Sequence, residues 1–285
     1  MSLSVADARA FLTAHSAAIV AELTAVRGSS PREAGAFMLI AADALTGTIG
    51  GGALEYMVID RARLVLRDGL PDATMDIPLG PEIGQCCGGR VEVSMRPADA
   101  DVLVGRLERA EAARPHVYLF GAGHVGQALA RALAPLPLKV HVIDTRPDEL
   151  AGLPENVEGK ALAMPEAAVR SAPDGSSYVI LTHDHALDFL IGAEALKRHD
   201  APYVGMVGSK TKRAKFRSWY LSEAGGNAEA FERLVLPIGG KAFPDGLGDK
   251  RPEVIAALAA AEILVQIVTE TSNRPIAGVM AADGR

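Results

Sequence analysis

The run HVYLFGAGHVG, His116–Gly126, restricts the fold of this chain more than any other stretch. Val117–Phe120 is apolar and too short for a free-standing helix. A tight turn follows, Gly121-Ala122-Gly123-His124-Val125-Gly126, then an alanine-rich helical pattern over Gln127–Ala134 and a second apolar run, Lys139–Ile143, ending in Asp144. Strand, glycine turn, helix, strand and acid is the opening of a dinucleotide-type βαβ unit. Each part has a physical task. Gly121 permits the sharp turn, Gly123 has no Cβ to keep a phosphate off the backbone, and Gly126 lets the helix sit close on the strand. The helix N-terminus adds unpaired N–H groups and the positive end of its dipole. Asp144 stands where an acid would hold a ribose hydroxyl. The flanks make this a Rossmann-like half; they do not by themselves make it an NAD site. His124, inside the turn, reads as a residue facing a ligand, with a solvated turn histidine as the other reading.

A chain of 285 residues with 49% hydrophobic side chains can build one large or two ordinary domains. The boundary is expected near Ala113–Pro115, giving a smaller N-terminal α/β domain, residues 1–113, and a C-terminal Rossmann-like parallel-sheet domain, residues 114–285. A net charge of −6 argues against a general nucleic-acid binder. The N-terminus carries early acid and no continuous apolar core, so it does not read as a signal peptide. No run of about 18 apolar residues is free of charge, which points away from the membrane and toward a cytoplasmic protein. The two cysteines are adjacent and make no secreted disulfide framework.

The N-terminal part reads as a helix over Val5–Ala14 and strands over Ala18–Arg27 and Ala36–Ile40. The turn between those strands, Gly28–Arg32, carries Ser29, Ser30 and Arg32. Hydroxyls, free N–H groups and an arginine suit an oxyanion, though an ordinary Ser/Pro turn has the same composition. A second glycine turn, Thr46–Gly52, contains Gly51 and leads into a helix over Ala53–Asp68. Glu55 in its first turn either complements the dipole or stands beside whatever the turn holds. Strands are expected at Thr74–Leu79 and Arg90–Met95 around a loop whose tip is Gln85-Cys86-Cys87-Gly88-Gly89, and a helix at Asp99–Ala113.

In the C-terminal part, Thr145–Pro165 reads as loop with a short strand near Val157. Tyr178–Leu181 reads as a strand ending in Thr182-His183-Asp184-His185, on the same sheet edge as the glycine turn. A helix over Asp188–Arg198, a strand over Tyr203–Val207, the turn Gly208-Ser209-Lys210 and a helix over Thr211–Leu221 follow. Leu234–Ile238 is short and extended, Gly239–Lys250 a polar loop, Arg251–Val268 a helix and Thr269–Arg285 a tail.

Three clusters carry chemistry. Cys86-Cys87 allows cofactor ligation or sulfur handling, a redox switch, or inert burial; a closed zinc site needs about four ligands, which the pair does not supply. The run Ser209–Lys215 places Lys210, Lys212, Arg213 and Lys215 at a helix start, where cations oppose the dipole; a bound anion would resolve the conflict, and a solvated basic face is the other reading. His183, Asp184 and His185 match a facial triad in composition, but residues i and i+2 of an extended chain point away from i+1, so metal, polar ligand contact and structural role all stay open. On the glycine turn and Asp144 alone, the chain reads as an NAD(P)-dependent oxidoreductase that lacks an obvious substrate-side acid or base.

The sequence resembles the XdhC/CoxI family. The matching motifs are GSSPREAGAFMLI (Gly28–Ile40), GTIGGGALE (Gly47–Glu55), GPEIGQCCGG (Gly80–Gly89), FGAGHVG (Phe120–Gly126), LTHDHALD (Leu181–Asp188) and GMVGSKTKRAKF (Gly205–Phe216), in the family's order. The resemblance implies a chaperone rather than a catalyst. Such a protein binds the molybdenum cofactor (molybdopterin), shields it during sulfuration with a cysteine desulfurase as sulfur source, and hands it to the molybdenum subunit of xanthine dehydrogenase. It also implies self-association, a dimer being favoured, and a cargo site in the interdomain cleft. The residues put forward for the cofactor are Ser29, Ser30, Arg32 and Gly51, then Gln85, Cys86 and Cys87, one of the thiols approaching the molybdenum or receiving persulfide sulfur. In the second domain they are Gly121, Gly123, His124, Gly126 and Asp144, with His183, Asp184, Ser209 and Lys210, the phosphate end falling to either Gly121–Gly126 or Ser209–Thr211.

Overall fold

The computed structural model describes residues 3–81, 88–240 and 249–273, with side chains as far as Glu270. The chain divides into two compact units, Met1–Ala113 and Arg114–Arg285.

The first unit runs α1 (Val5–Ala14), β1 (Ile19–Arg27), β2 (Phe37–Ile40), β3 (Leu45–Gly47), α2 (Gly52–Asp68), β4 (Ala73–Pro78), β5 (Arg90–Pro97) and α3 (Ala100–Ala112). Its strands form an antiparallel sheet in the order β3-β2-β1-β5-β4. Alternation in β5 sends Val91, Val93 and Met95 to one face. There they meet Leu54, Val58, Ala62 and Val65, one stripe of α2. On the other face Val20 and Leu39 pack with Leu103 of α3 and, partly buried, Phe11 and Leu12 of α1. Ser4 and Asp99 cap α1 and α3 by accepting the Asp7 and Val102 N–H groups, and Gly69 ends α2 in the left-handed region. Strand β3, read from the sequence as part of a glycine turn, exists through its pairing with β2.

The second unit runs β6 (His116–Phe120), α4 (His124–Leu133), β7 (Lys139–Asp144), a 3-10 turn (Pro147–Leu150), β8 (Val157–Ala161), α5 (Glu166–Ser171), β9 (Ser177–Ile180), α6 (His185–Lys197), β10 (Val204–Met206), α7 (Lys210–Ser222), α8 (Ala228–Glu232), β11 (Leu234–Val235) and α9 (Pro252–Asn273). All neighbouring strands are parallel, in the order β11-β10-β9-β6-β7-β8. This is the Rossmann-like sheet expected from the glycine turn. The order in which strands are added reverses between β6 and β9, so the switch point lies beyond the carboxyl ends of those two strands. Val117, Leu119, Val140 and Val142 face α4 and α9; Phe120, Ile143 and Ile180 face α5, α6 and α7.

Helix α9 is long and apolar enough to cross a membrane by length and composition, with a mean hydropathy of 1.7 over its most apolar window. Its buried side, Ala256, Ala259, Ala260, Ile263 and Ile267, is packed into the core beside α4. The helix continues to Asn273, so residues 269–273 are helical rather than tail; residues 274–285 lie outside the described part. Helix α6 begins three residues earlier than its periodicity indicated because Asp184 caps it. The short helices α5 and α8 had no sequence signature: one or two turns are too few to show a 3.6-residue period.

Candidate functional site

The three glycines of the turn after β6 divide the work. Gly121 has φ +114°, and a Cβ there would lie 2.6 Å from the Leu181 carbonyl oxygen. A Cβ on Gly126 would lie 1.9 Å from the Gly121 oxygen. Both glycines therefore serve close backbone packing. Gly123 has nothing within 4 Å of its Cβ position, so its backbone is open to a ligand. It is the N-cap of α4, whose first N–H groups lack intrahelical acceptors by helix geometry. His124 opens the helix and is exposed.

Asp144 stands beside this turn with both carboxylate oxygens engaged. Oδ2 accepts from the Ala122 N–H (2.7 Å) and from Arg146 Nη2 (3.1 Å). Oδ1 accepts from the Arg146 N–H (2.9 Å) and Nε (3.1 Å). Burial pushes this carboxyl up, but the guanidinium and two backbone donors outweigh it and hold it below the usual carboxylate range. Asp144 thus ties the end of β7 to the glycine turn. Arg146 is the residue that sequence reasoning missed; its signal was an arginine two positions after the acid.

The next two strand ends are built around their own caps. Asp184 caps α6, its Oδ1 accepting from the Ala186 and Leu187 N–H groups at 2.8 and 3.3 Å. Ser209 caps α7, accepting from the Lys212 N–H at 3.3 Å. Lys212 is buried and paired with Asp188, and it also donates to the Val207 carbonyl at 2.9 Å. Arg213 donates to the Leu234 carbonyl at 2.8 Å and lies over the Phe231 ring. Two of the four cations at this helix start are therefore satisfied inside the protein, while Lys210 and Lys215 are exposed. Lys215, His183, His185, Phe189, Ser209 and Thr211 line a cavity of about 360 Å³ between the two loops. The cap geometry of Asp184 turns its carboxylate into α6, and among the described residues no group of three or more His, Cys, Asp or Glu side chains is placed to hold a metal.

In the first unit, three loops meet. A Cβ on Gly89 would lie 2.1 Å from the Ser29 oxygen, and one on Gly28 would lie 3.3 Å from the Gly89 Cα. A Cβ on Gly50 would lie 2.8 Å from Pro31 Cγ. The turn holding Ser29, Ser30 and Arg32 therefore sits against the glycine turn and against the C-terminal end of the thiol loop. Leu79 pins that end by exchanging hydrogen bonds with Gly88 and Gly89, each 2.7 Å. Gln85, Cys86 and Cys87 lie outside the described residues.

Glu55 closes the second glycine turn. Its Oε1 accepts from Thr48 Oγ1 (2.6 Å) and the N–H groups of Ile49 (2.9 Å), Gly50 (3.3 Å) and Gly51 (2.9 Å). Burial raises this carboxyl, yet the four donors leave it below its ordinary value. The nest at Gly51 is filled by the protein's own carboxylate, a role the spacing of GTIGGGALE left open between two readings. Glu55→Ala is expected to cost about 2 kcal/mol, because one substitution leaves several donors unpaired. Urea unfolding at neutral pH reads the loss; an unchanged midpoint would mean that water replaces the carboxylate without cost.

The second unit has a Rossmann-type fold, with an open glycine at its switch point. The family model described as the XdhC Rossmann domain matches residues 117–263, and that described as the XdhC and CoxI family matches residues 11–77. The chain belongs to the XdhC and CoxI family. It is 26% identical over 257 residues to YqeB of Escherichia coli K12, an uncharacterized protein, covering 86% of this chain and 42% of YqeB. The chain thus spans about two fifths of that relative's length. A crystal structure of a Bacillus halodurans protein described as a xanthine dehydrogenase superposes with a TM-score of 0.76 at 18% identity, covering 97% of this chain and 98% of that one.

Proposed function

We propose that this chain is an accessory protein for the molybdenum cofactor: it binds the cofactor, protects it during sulfuration and delivers it to the molybdenum subunit of a xanthine dehydrogenase. The observation that carries the reading is the pairing of an open phosphate cradle at Gly123 with an acid, Asp144, whose oxygens are already engaged. An NAD site needs that acid free for the ribose. A pterin phosphate needs only the glycine turn, the helix N-terminus and cations on the same sheet edge, and Lys210 is exposed after β10, two strands from β6. Membership of the XdhC and CoxI family supports the same cargo. The thiols of Cys86 and Cys87 are assigned to the metal end by family resemblance, with a cysteine desulfurase as sulfur donor. The work is placed in the cytoplasm, and the protein is taken to act as a homodimer.

Anaerobic incubation of the purified chain with free molybdenum cofactor, followed by gel filtration and metal analysis, tests this, with an NAD titration in parallel. The expected result is molybdenum co-eluting near one per chain, no NAD binding, and loss of the metal when Cys86→Ala and Cys87→Ala are combined. Tight NAD binding without molybdenum would replace the reading with an NAD(P)-dependent oxidoreductase.

A further inference from the structure

We propose that the buried Asp188–Lys212 pair is a positioning device. It fixes the loop after β9 against the loop after β10, and so sets the span of the cavity between His183 and His185 on one side and Ser209, Thr211 and Lys215 on the other.

The two oxygens of Asp188 serve different loops. Oδ1 accepts from the Thr182 N–H (3.1 Å) and hydroxyl (2.7 Å). The same hydroxyl lies 2.9 Å from the Asp184 carbonyl and 3.2 Å from its N–H, so the whole Thr182–Asp184 turn hangs on this atom. Oδ2 takes the Lys212 ammonium, which also donates to the Val207 carbonyl, the last residue before the Gly208–Lys210 turn. Asp188 is 0% exposed and Lys212 7%. The β9 loop in turn abuts the phosphate cradle, since the Leu181 carbonyl fills the space beside Gly121. The order Gly121, Leu181, Thr182, Asp188, Lys212, Val207 is thus one continuous run of contacts across the sheet edge.

A buried ion pair contributes little net stability, because desolvation of both charges offsets their attraction, but it tolerates only one geometry. Its worth here is alignment. The pairing also cancels the charge of Lys212, which therefore does not serve as an anion ligand despite standing in the basic cluster. The exposed Lys210 and Lys215 keep that role. The ligand-binding part of this inference rests on the proposed cofactor reading; the clamp itself does not.

The test uses the full chain with Asp188→Asn, which keeps the shape and removes the carboxylate charge, alongside Lys212→Met. Amide hydrogen exchange is expected to rise about tenfold or more over 182–186 and 208–211 in both variants, with β6 unchanged. Cofactor retention is expected to fall about tenfold in both, since a misplacement of about 1 Å is enough for that. Its dependence on salt should stay that of the parent. If Lys212 were an anion ligand, Asp188→Asn would free its charge and preserve or strengthen binding, and Lys212→Met alone would weaken binding and flatten its salt dependence; that result overturns the proposal. Exchange rising over the whole unit with unchanged affinity would also overturn it, as a stability role alone. Should the parent retain no cofactor, the functional reading fails while the exchange comparison still decides the clamp. Thr182→Val spares the ion pair and covers failure of Asp188→Asn to fold. It should raise exchange in 182–186 about threefold, and no local change would sink the clamp.

Discussion

Gly126→Ala is expected to unfold the C-terminal unit, or leave it barely stable, while Gly123→Ala is expected to leave it folded and, on the proposed cofactor reading, to weaken retention of the cofactor. The two glycines belong to one motif and are three residues apart, yet the space around them differs completely. A methyl at 126 would sit 1.9 Å from the Gly121 oxygen, a backbone atom that cannot rotate away. Relief requires α4 to lift off β6 and β9, where Leu129, Leu133, Val117 and Leu119 share one core. A small added group usually costs about 1–3 kcal/mol in a packed core, and a forced backbone shift of this size places the loss at about 4 kcal/mol or more. That is a large share of the ~5–15 kcal/mol by which a domain is stable. At 123 the φ is −66° and the methyl meets nothing within 4 Å, so a loss under about 1 kcal/mol is expected. The same methyl occupies the open side of the turn, and molybdenum-cofactor retention should drop about tenfold as the phosphate loses its approach to the N–H groups. Urea unfolding followed by metal analysis separates the two effects. A Gly126→Ala protein with the parent's midpoint would show that the helix has room to move, and full retention by Gly123→Ala would put the phosphate elsewhere.

The glycine turn was legible because its information is local: the order of strand, turn, helix and acid cannot be satisfied by many folds. Continuous apolar runs such as Tyr178–Leu181 likewise read as buried parallel strands. What sequence could not give was where each polar group spends its hydrogen bonds. Asp144, Asp184, Ser209 and Glu55 are short polar side chains near glycine turns and helix starts, the composition of a ligand site and equally of caps and turn closures. In the structure Asp184 and Ser209 are caps, Glu55 fills the nest at Gly51, and Asp144 holds Arg146. Lys212 went the same way: a basic residue at a helix start is indistinguishable in sequence from an anion ligand until the carboxylate of Asp188 is seen under it. Among the described candidates, Ser29, His124, His183 and Lys210 remain exposed, and the Cβ side of Gly123 is open.

Asp144→Asn is expected to lower stability by about 2–3 kcal/mol at pH 7, and the gap to the parent should close on acidification. The carboxylate satisfies the fully buried Ala122 N–H and the Arg146 guanidinium together, within a site where its own residue is 5% exposed. An amide in its place can still accept one of those bonds but turns its NH₂ toward the arginine. The folded-state value of the Asp144 carboxyl lies below the ordinary one. A lowered value means the contribution is complete above the unfolded value, about 3.9, and is lost as pH falls through the folded value. The asparagine has no such titration, so parent and variant should melt several degrees apart at neutral pH and converge below about pH 4. A gap that stays constant down to the acid limit would mean that the carboxylate contributes shape and not charge. The substitution also separates the two ligand readings. If Asp144 anchors the glycine turn through Ala122, Asp144→Asn weakens molybdenum-cofactor retention while NAD binding stays absent. If instead it clamps a ribose, the parent binds NAD and the variant loses it, with the stability gap a side effect.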